Sequence, residues 1–130
     1  MSFLDIDTSN AIEPKAVPGD EEYEIRLVDV REGIDKNGNS YSMPRFDIPS
    51  EPTAKDFTKF YSHGRPDMTE KETNGIRWAI ATFKKAFGIP DNERGSLDRY
   101  FGNTAWAILG VSDDEQYGEQ NYIKRFVTPK

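Results

Sequence analysis

The 130-residue length is that of a single domain, so one core is expected. The absence of cysteine excludes a disulfide framework and any thiolate metal site, and an apolar share of only 35% leaves core building to eight Phe, six Tyr and two Trp. Net charge is −6, but residues 1–22 place Asp5, Asp7, Glu13, Asp20, Glu21 and Glu22 against Lys15 alone; the rest is close to neutral, and a polyanionic partner is not excluded.

Met1 to Asn10 lacks the basic and apolar stretches of a secretory signal, and no apolar run is long enough to span a bilayer, so the cytoplasm is the default compartment. Residues 1–20, with Pro14, Pro18 and Gly19-Asp20, read as an irregular acidic arm, either simply solvated or shielding a basic groove. Residues 21–130 then form the folded domain.

From Glu22 to Arg31, Tyr23, Ile25 and Leu27 occupy one parity and Val28 and Val30 the other. A strand that switches face in this way predicts a bulge, the device that bends a long first strand around a small barrel. Lys36-Asn37-Gly38-Asn39 follows as a hairpin signal, since Asn and Gly both tolerate positive φ. The second strand starts near Ser40 with Tyr41, Met43 and Arg45 on one face and Phe46 and Ile48 on the other; Pro44 marks an edge or a bulge, and Pro49 and Pro52 end it. A third run, Asp56 to Ser62, carries Phe57, Lys59 and Tyr61 on one parity and Phe60 on the other, so neither face is plainly solvent.

A helix is predicted from Glu70 to Phe87, with Thr69 and Glu72 as a capping box and Ile76, Ala79, Ile80, Phe83, Ala86 and Phe87 as one apolar stripe. Gly75 weakens its first turns, and Gly88 and Pro90 stop it. Asp91 to Phe101 reads as a loop with a short helical turn at Leu97 to Tyr100. The fourth strand, Asn103 to Val111, is apolar on both parities and therefore central, with Trp106 read as core. An acidic loop, Ser112 to Gln120, leads to the fifth strand, Asn121 to Val127.

Three strands, one long helix and two strands, with a bent first strand, is the order of the five-stranded OB-fold barrel, mainly β, with the helix between strands three and four. A ferredoxin-like split fails because only a loop joins strands one and two. An open antiparallel sheet packed on one helix remains the alternative.

Pro18-Gly19 ahead of Tyr23-Glu24-Ile25, then Lys36-Asn37-Gly38-Asn39-Ser40-Tyr41, Gly88-Ile89-Pro90 and Ile123-Lys124-Arg125-Phe126, resemble in this order the small phage-encoded single-stranded-DNA-binding proteins with an OB fold. The resemblance covers most of the chain after the arm. It implies sequence-independent coating of single-stranded DNA in phage replication or recombination, in the cytoplasm of an infected bacterium, beside phage or host replication and recombination proteins. Members that recruit partners through an acidic C-terminal tail are not matched, since this chain ends Thr128-Pro129-Lys130.

Binding of single strands without sequence preference combines cations for phosphates with aromatic rings for base faces. The candidates are Lys36 in the first loop, Tyr41 and Arg45 on strand two, Lys59 and Tyr61 on strand three, Tyr117 in the last hairpin, and Lys124 and Arg125 on strand five. Tyr41 and Tyr61 have the alternative of core rings with wet hydroxyls. Lys124 and Arg125 fall on opposite parities, so at most one of them faces a shared groove unless the other sits beyond the barrel's rim, and Arg125 is preferred because a guanidinium both pairs with phosphate and stacks.

No catalytic residue, metal or cofactor is expected. His63 is the sole histidine, in a loop without a nucleophile elbow; Asp35 to Asn39 places its glycine wrongly for a calcium loop; Asp113, Asp114 and Glu115 read as a solvated hairpin tip. The competing function is a protein-interaction module that ignores nucleic acid and uses the acidic arm and the Asp113 to Glu119 loop against a basic partner.

Overall fold

The computed structural model describes residues 2–127, so the C-terminal Thr128-Pro129-Lys130, and the expectation about a tail, lies outside the described residues. The architecture is mainly β with one helix: an antiparallel six-stranded sheet in the order β3-β2-β1-β5-β6, with β4 pairing separately with β2. The strands are β1 (Glu21–Ile34), β2 (Ser40–Asp47), β3 (Phe57–Thr58), β4 (Tyr61–Ser62), β5 (Thr104–Asp114) and β6 (Gly118–Val127); the helix α1 (Glu70–Ala86) lies between β4 and β5.

The helix therefore follows the fourth strand rather than lying between a third and a fourth. The expected third strand is split at Lys59-Phe60, and Pro44 supplies the reason. The Pro44 carbonyl accepts from the Lys59 N–H at 3.2 Å. The reciprocal bond would need a Pro44 N–H, which proline lacks, so the ladder breaks there and resumes at Tyr61 opposite Ser42.

The bulge predicted in the first strand is present. Leu27 pairs with Phe46, whereas Asp29 pairs with Arg45, so Val28 is the extra residue and the core-facing parity changes behind it. The first half of β1 pairs with β5 and the second half with β2. The curled sheet brings β3 close to β6 with no ladder between them among the described residues.

The Asn-Gly loop is longer than a two-residue hairpin turn: Ile34 pairs with Ser40, and of the residues between them only Gly38 has positive φ, +82°. Asp35 Oδ1 organises it by accepting from the N–H groups of Asn37 and Asn39, each at 2.9 Å.

α1 starts at the predicted capping box, where Thr69 Oγ1 accepts from the Glu72 N–H at 3.2 Å and Glu72 Oε1 from the Thr69 N–H at 3.3 Å. It ends at Gly88 with φ +71°, and its apolar stripe faces the sheet. The core contains a connected aromatic cluster: Phe46 packs on Phe57 (5.5 Å between centroids), Phe87 (5.6 Å) and Phe83 (6.4 Å), and Phe126 meets Phe87 edge-on.

The leading segment is irregular, as expected, with a 3-10 turn at Phe3–Asp5 and a single bridge from Lys15 to Ala54. Its Val17 is nevertheless buried in the core. Buried Asn121 explains how: Oδ1 accepts from the Val17 N–H at 2.8 Å, and Nδ2 donates to the carbonyls of Val17 and Gly110, both at 3.0 Å. One side chain thus satisfies backbone groups that no ladder serves.

Candidate functional site

Directly opposed residues of an antiparallel pair share a face, so the register along β1 and β2 defines the outer surface. Phe46 with Leu27 and Pro44 with Val30 lie on the core side; Arg45 with Asp29, Met43 with Arg31, and Tyr41 with Gly33 lie on the outer side. Tyr41 lies over Gly33 so closely that a Cβ on that glycine would stand 2.5 Å from the ring. On its other side Tyr41 stacks with Phe60, centroids 5.1 Å apart and planes inclined by 29°. Phe60 is 54% exposed, because the ladder break at Lys59-Phe60 frees it from the sheet.

The eight sequence-predicted residues divide into three groups. Tyr41 forms this outer pair with Phe60, Lys36 lies in the turn that leads into the strand of Tyr41, and Lys59 adjoins Phe60 in sequence. Lys36 is exposed at the β1–β2 turn, and Lys59, next to Phe60, holds its ammonium 5.3 Å from the centroid of the Tyr61 ring. Arg31, opposite Met43, makes no ion pair among the described residues and joins them as a cation that sequence reasoning missed. Phe60 was missed as well, although its aromatic ring on the parity opposite to Tyr61 was the available signal.

A second group is occupied elsewhere. Arg45 grips Asp29 through two bonds of 3.1 and 2.7 Å and Asp56 through a third of 2.9 Å, leaving it little capacity for a phosphate. The Arg45 bonds hold the Asp29 carboxyl below its ordinary range, and Asp29 raises Arg45 in turn. Tyr61 belongs to the core: it is 7% exposed, meets Phe83 edge-on at 5.4 Å, and its hydroxyl has no partner among the described residues. Burial pushes the Tyr61 phenol well above its usual pKa. A buried ring offers no base a face.

The third group lies across the sheet. Tyr117 is exposed at the β5–β6 hairpin tip, where its carbonyl accepts from Lys55 Nζ at 2.8 Å. Lys55 belongs to the β2–β3 connection, at the end of β2 remote from Lys36, so Tyr117 is separated from the Tyr41 pair. Lys124 pairs with Asp20, and this bond raises the Lys124 pKa. Leu109 pairs with Ile123 but Ile108 with Arg125, so Lys124 is itself a bulge residue and the expected opposition of parities does not hold: both side chains are exposed. Trp106, expected in the core, is 49% exposed on the outer face of β5.

On the opposite side of the sheet a cleft of about 260 Å³ lies between β2, β4, α1 and a 3-10 turn at Leu97–Tyr100. At its wall Ser42 Oγ donates to Glu32 Oε2 at 2.5 Å and lies 2.6 Å from His63 Nε2. The serine has one hydrogen, so it donates to Glu32 or to His63 and not to both, and which of Ser42 and Nε2 donates in their contact follows from the imidazole tautomer. Among the described residues no three His, Asp or Glu side chains are grouped to hold a metal, and no helix is long and apolar enough to cross a membrane.

The chain matches no known protein-family model and no curated protein sequence.

Proposed function

We propose that the protein binds single-stranded nucleic acid, DNA in the first instance, without sequence preference, as an OB-type barrel acting in phage replication or recombination. The observation that carries this reading is the exposed Tyr41–Phe60 stack on the outer face of β1–β2, seated on Gly33 and with Arg31 on the same face. Stacked rings in water present apolar faces that a base can extend, and Arg31, Lys36 and Lys59 are the three cations proposed for the adjoining phosphates. The bulged β1 shared between β2 and β5, with β3 curled toward β6, supports the barrel reading. The proposed role is coating and protection of the strand.

Fluorescence anisotropy of a labelled oligo-dT strand against a matched duplex tests it. Saturable binding is expected for the single strand and weaker binding for the duplex, with a log–log salt slope of about −2 if the three cations contact phosphates. Tyr41→Ala and Phe60→Ala are each expected to weaken binding by about 1–3 kcal/mol. A folded double variant that binds as well as the wild type refutes the site, and a wild type that ignores oligonucleotides at low salt refutes the function.

A further inference from the structure

The outer face of β5 and β6 carries a second exposed surface with a different charge pattern. Ala105, Ala107 and Leu109 of β5 are buried, so Trp106, Ile108 and Gly110 point outward. The register extends this face into rows: Glu24, Trp106 and Val127; Glu22, Ile108 and Arg125; and Gly110 with Tyr122. Trp106 and Tyr122 are 49% and 41% exposed, and the Tyr122 ring covers Gly110 so closely that a Cβ there would lie 2.4 Å from it. An apolar strip thus runs along the middle strand, with carboxylates on the β1 side and Arg125 on the β6 side. Glu22, Glu24 and Arg125 make no ion pair among the described residues.

We infer that this face is the interface of an isologous dimer of the chain. The strip of Trp106, Ile108 and Tyr122 is apolar enough to anchor a protein contact, while Glu22 and Glu24 along its β1 side repel a phosphate backbone. A twofold axis running along β5, between two sheets packed face to face, keeps the strand direction and exchanges left with right. It places Trp106 and Ile108 of one copy on the same residues of its partner, and Glu22 and Glu24 of each copy against Arg125 of the other. The pattern of acid, apolar strip and base is its own complement under that rotation and under no head-to-tail stacking of the same faces. The inference is independent of the Tyr41–Phe60 site, which lies on the half of β1 that pairs with β2.

Sedimentation equilibrium of the full chain and its variants tests the pairing. The wild type is expected to dimerise reversibly, and Trp106→Ala and Arg125→Glu each to raise the dissociation constant about tenfold or more. Arg125→Glu alone and Glu22→Lys/Glu24→Lys alone should both be monomeric, whereas their mixture should restore a heterodimer, because each acidic flank then meets a basic one. A wild type that stays monomeric to high micromolar concentration overturns the inference. So does a dimer indifferent to these substitutions, or a monomer whose affinity for oligonucleotide falls on Trp106→Ala, which would make the face a nucleic-acid surface. All four substituted side chains are exposed or half-buried, so the variants are expected to fold, and far-ultraviolet circular dichroism checks this.

Discussion

Tyr41 and Tyr61 differ in what surrounds them and not in chemistry. The ring of Tyr41 rests on a glycine at the sheet surface, whereas that of Tyr61 is wedged against Phe83 with an orphaned hydroxyl. A buried hydroxyl without a partner carries a desolvation penalty that its ring does not offset. Tyr61→Phe is therefore expected to raise the unfolding free energy by about 1 kcal/mol in chemical denaturation while leaving oligonucleotide affinity unchanged. Gly33→Val is expected to do the reverse of a harmless surface change. Its side chain occupies the space of the Tyr41 ring, so the ring must leave, and affinity in the anisotropy titration should fall about as far as in Tyr41→Ala. That Tyr41 is a platform candidate was legible from its place after an Asn-Gly turn; that Phe60 completes the pair was not, because its exposure follows from a missing hydrogen bond on another strand.

Among the elements, α1 was legible almost residue by residue, since caps and a 3.6-residue stripe are properties of neighbouring positions. The bulge at Val28 was legible for the same reason: a parity switch is visible in the short run from Tyr23 to Val30. The second bulge, at Lys124, was not, because Tyr122 and Phe126 stand on one parity and Ile123 and Val127 on the other, so apolar residues mark neither face and no alternation is there to interrupt. The leading segment is irregular but not detached. Asn121, reaching 104 positions back along the chain, holds Val17 against the β5–β6 pair. Asn121→Ala leaves the Val17 N–H and C=O without partners and is expected to cost about 1–3 kcal/mol in a thermal or urea unfolding experiment. Limited proteolysis should then cut ahead of β1 sooner than in the wild type.

For the molecule as a whole, charge placement governs both pH response and partner choice. Arg45 holds Asp29, and the Thr69 N–H together with Arg65 holds Glu72, below their ordinary carboxyl values. A carboxyl depressed in the native state adds stability that is complete above its unfolded pKa, about 4, and disappears as pH falls through the native value. Thermal midpoints are thus expected to be flat from neutrality to about pH 5 and to drop below about pH 4, with Asp29→Asn/Glu72→Gln less stable at neutrality and showing a shallower acid decline. Composition alone determined a cysteine-free chain with an acidic first stretch and a nearly neutral remainder, and local periodicity established the helix, its caps and the bend of β1. The tertiary structure alone decided which aromatic rings meet water and which cations remain unpaired. Both depend on partners distant in the chain: Pro44 breaks the ladder that would have paired Phe60, and Asp29, 16 residues before Arg45, occupies the guanidinium that the pattern had offered to a phosphate.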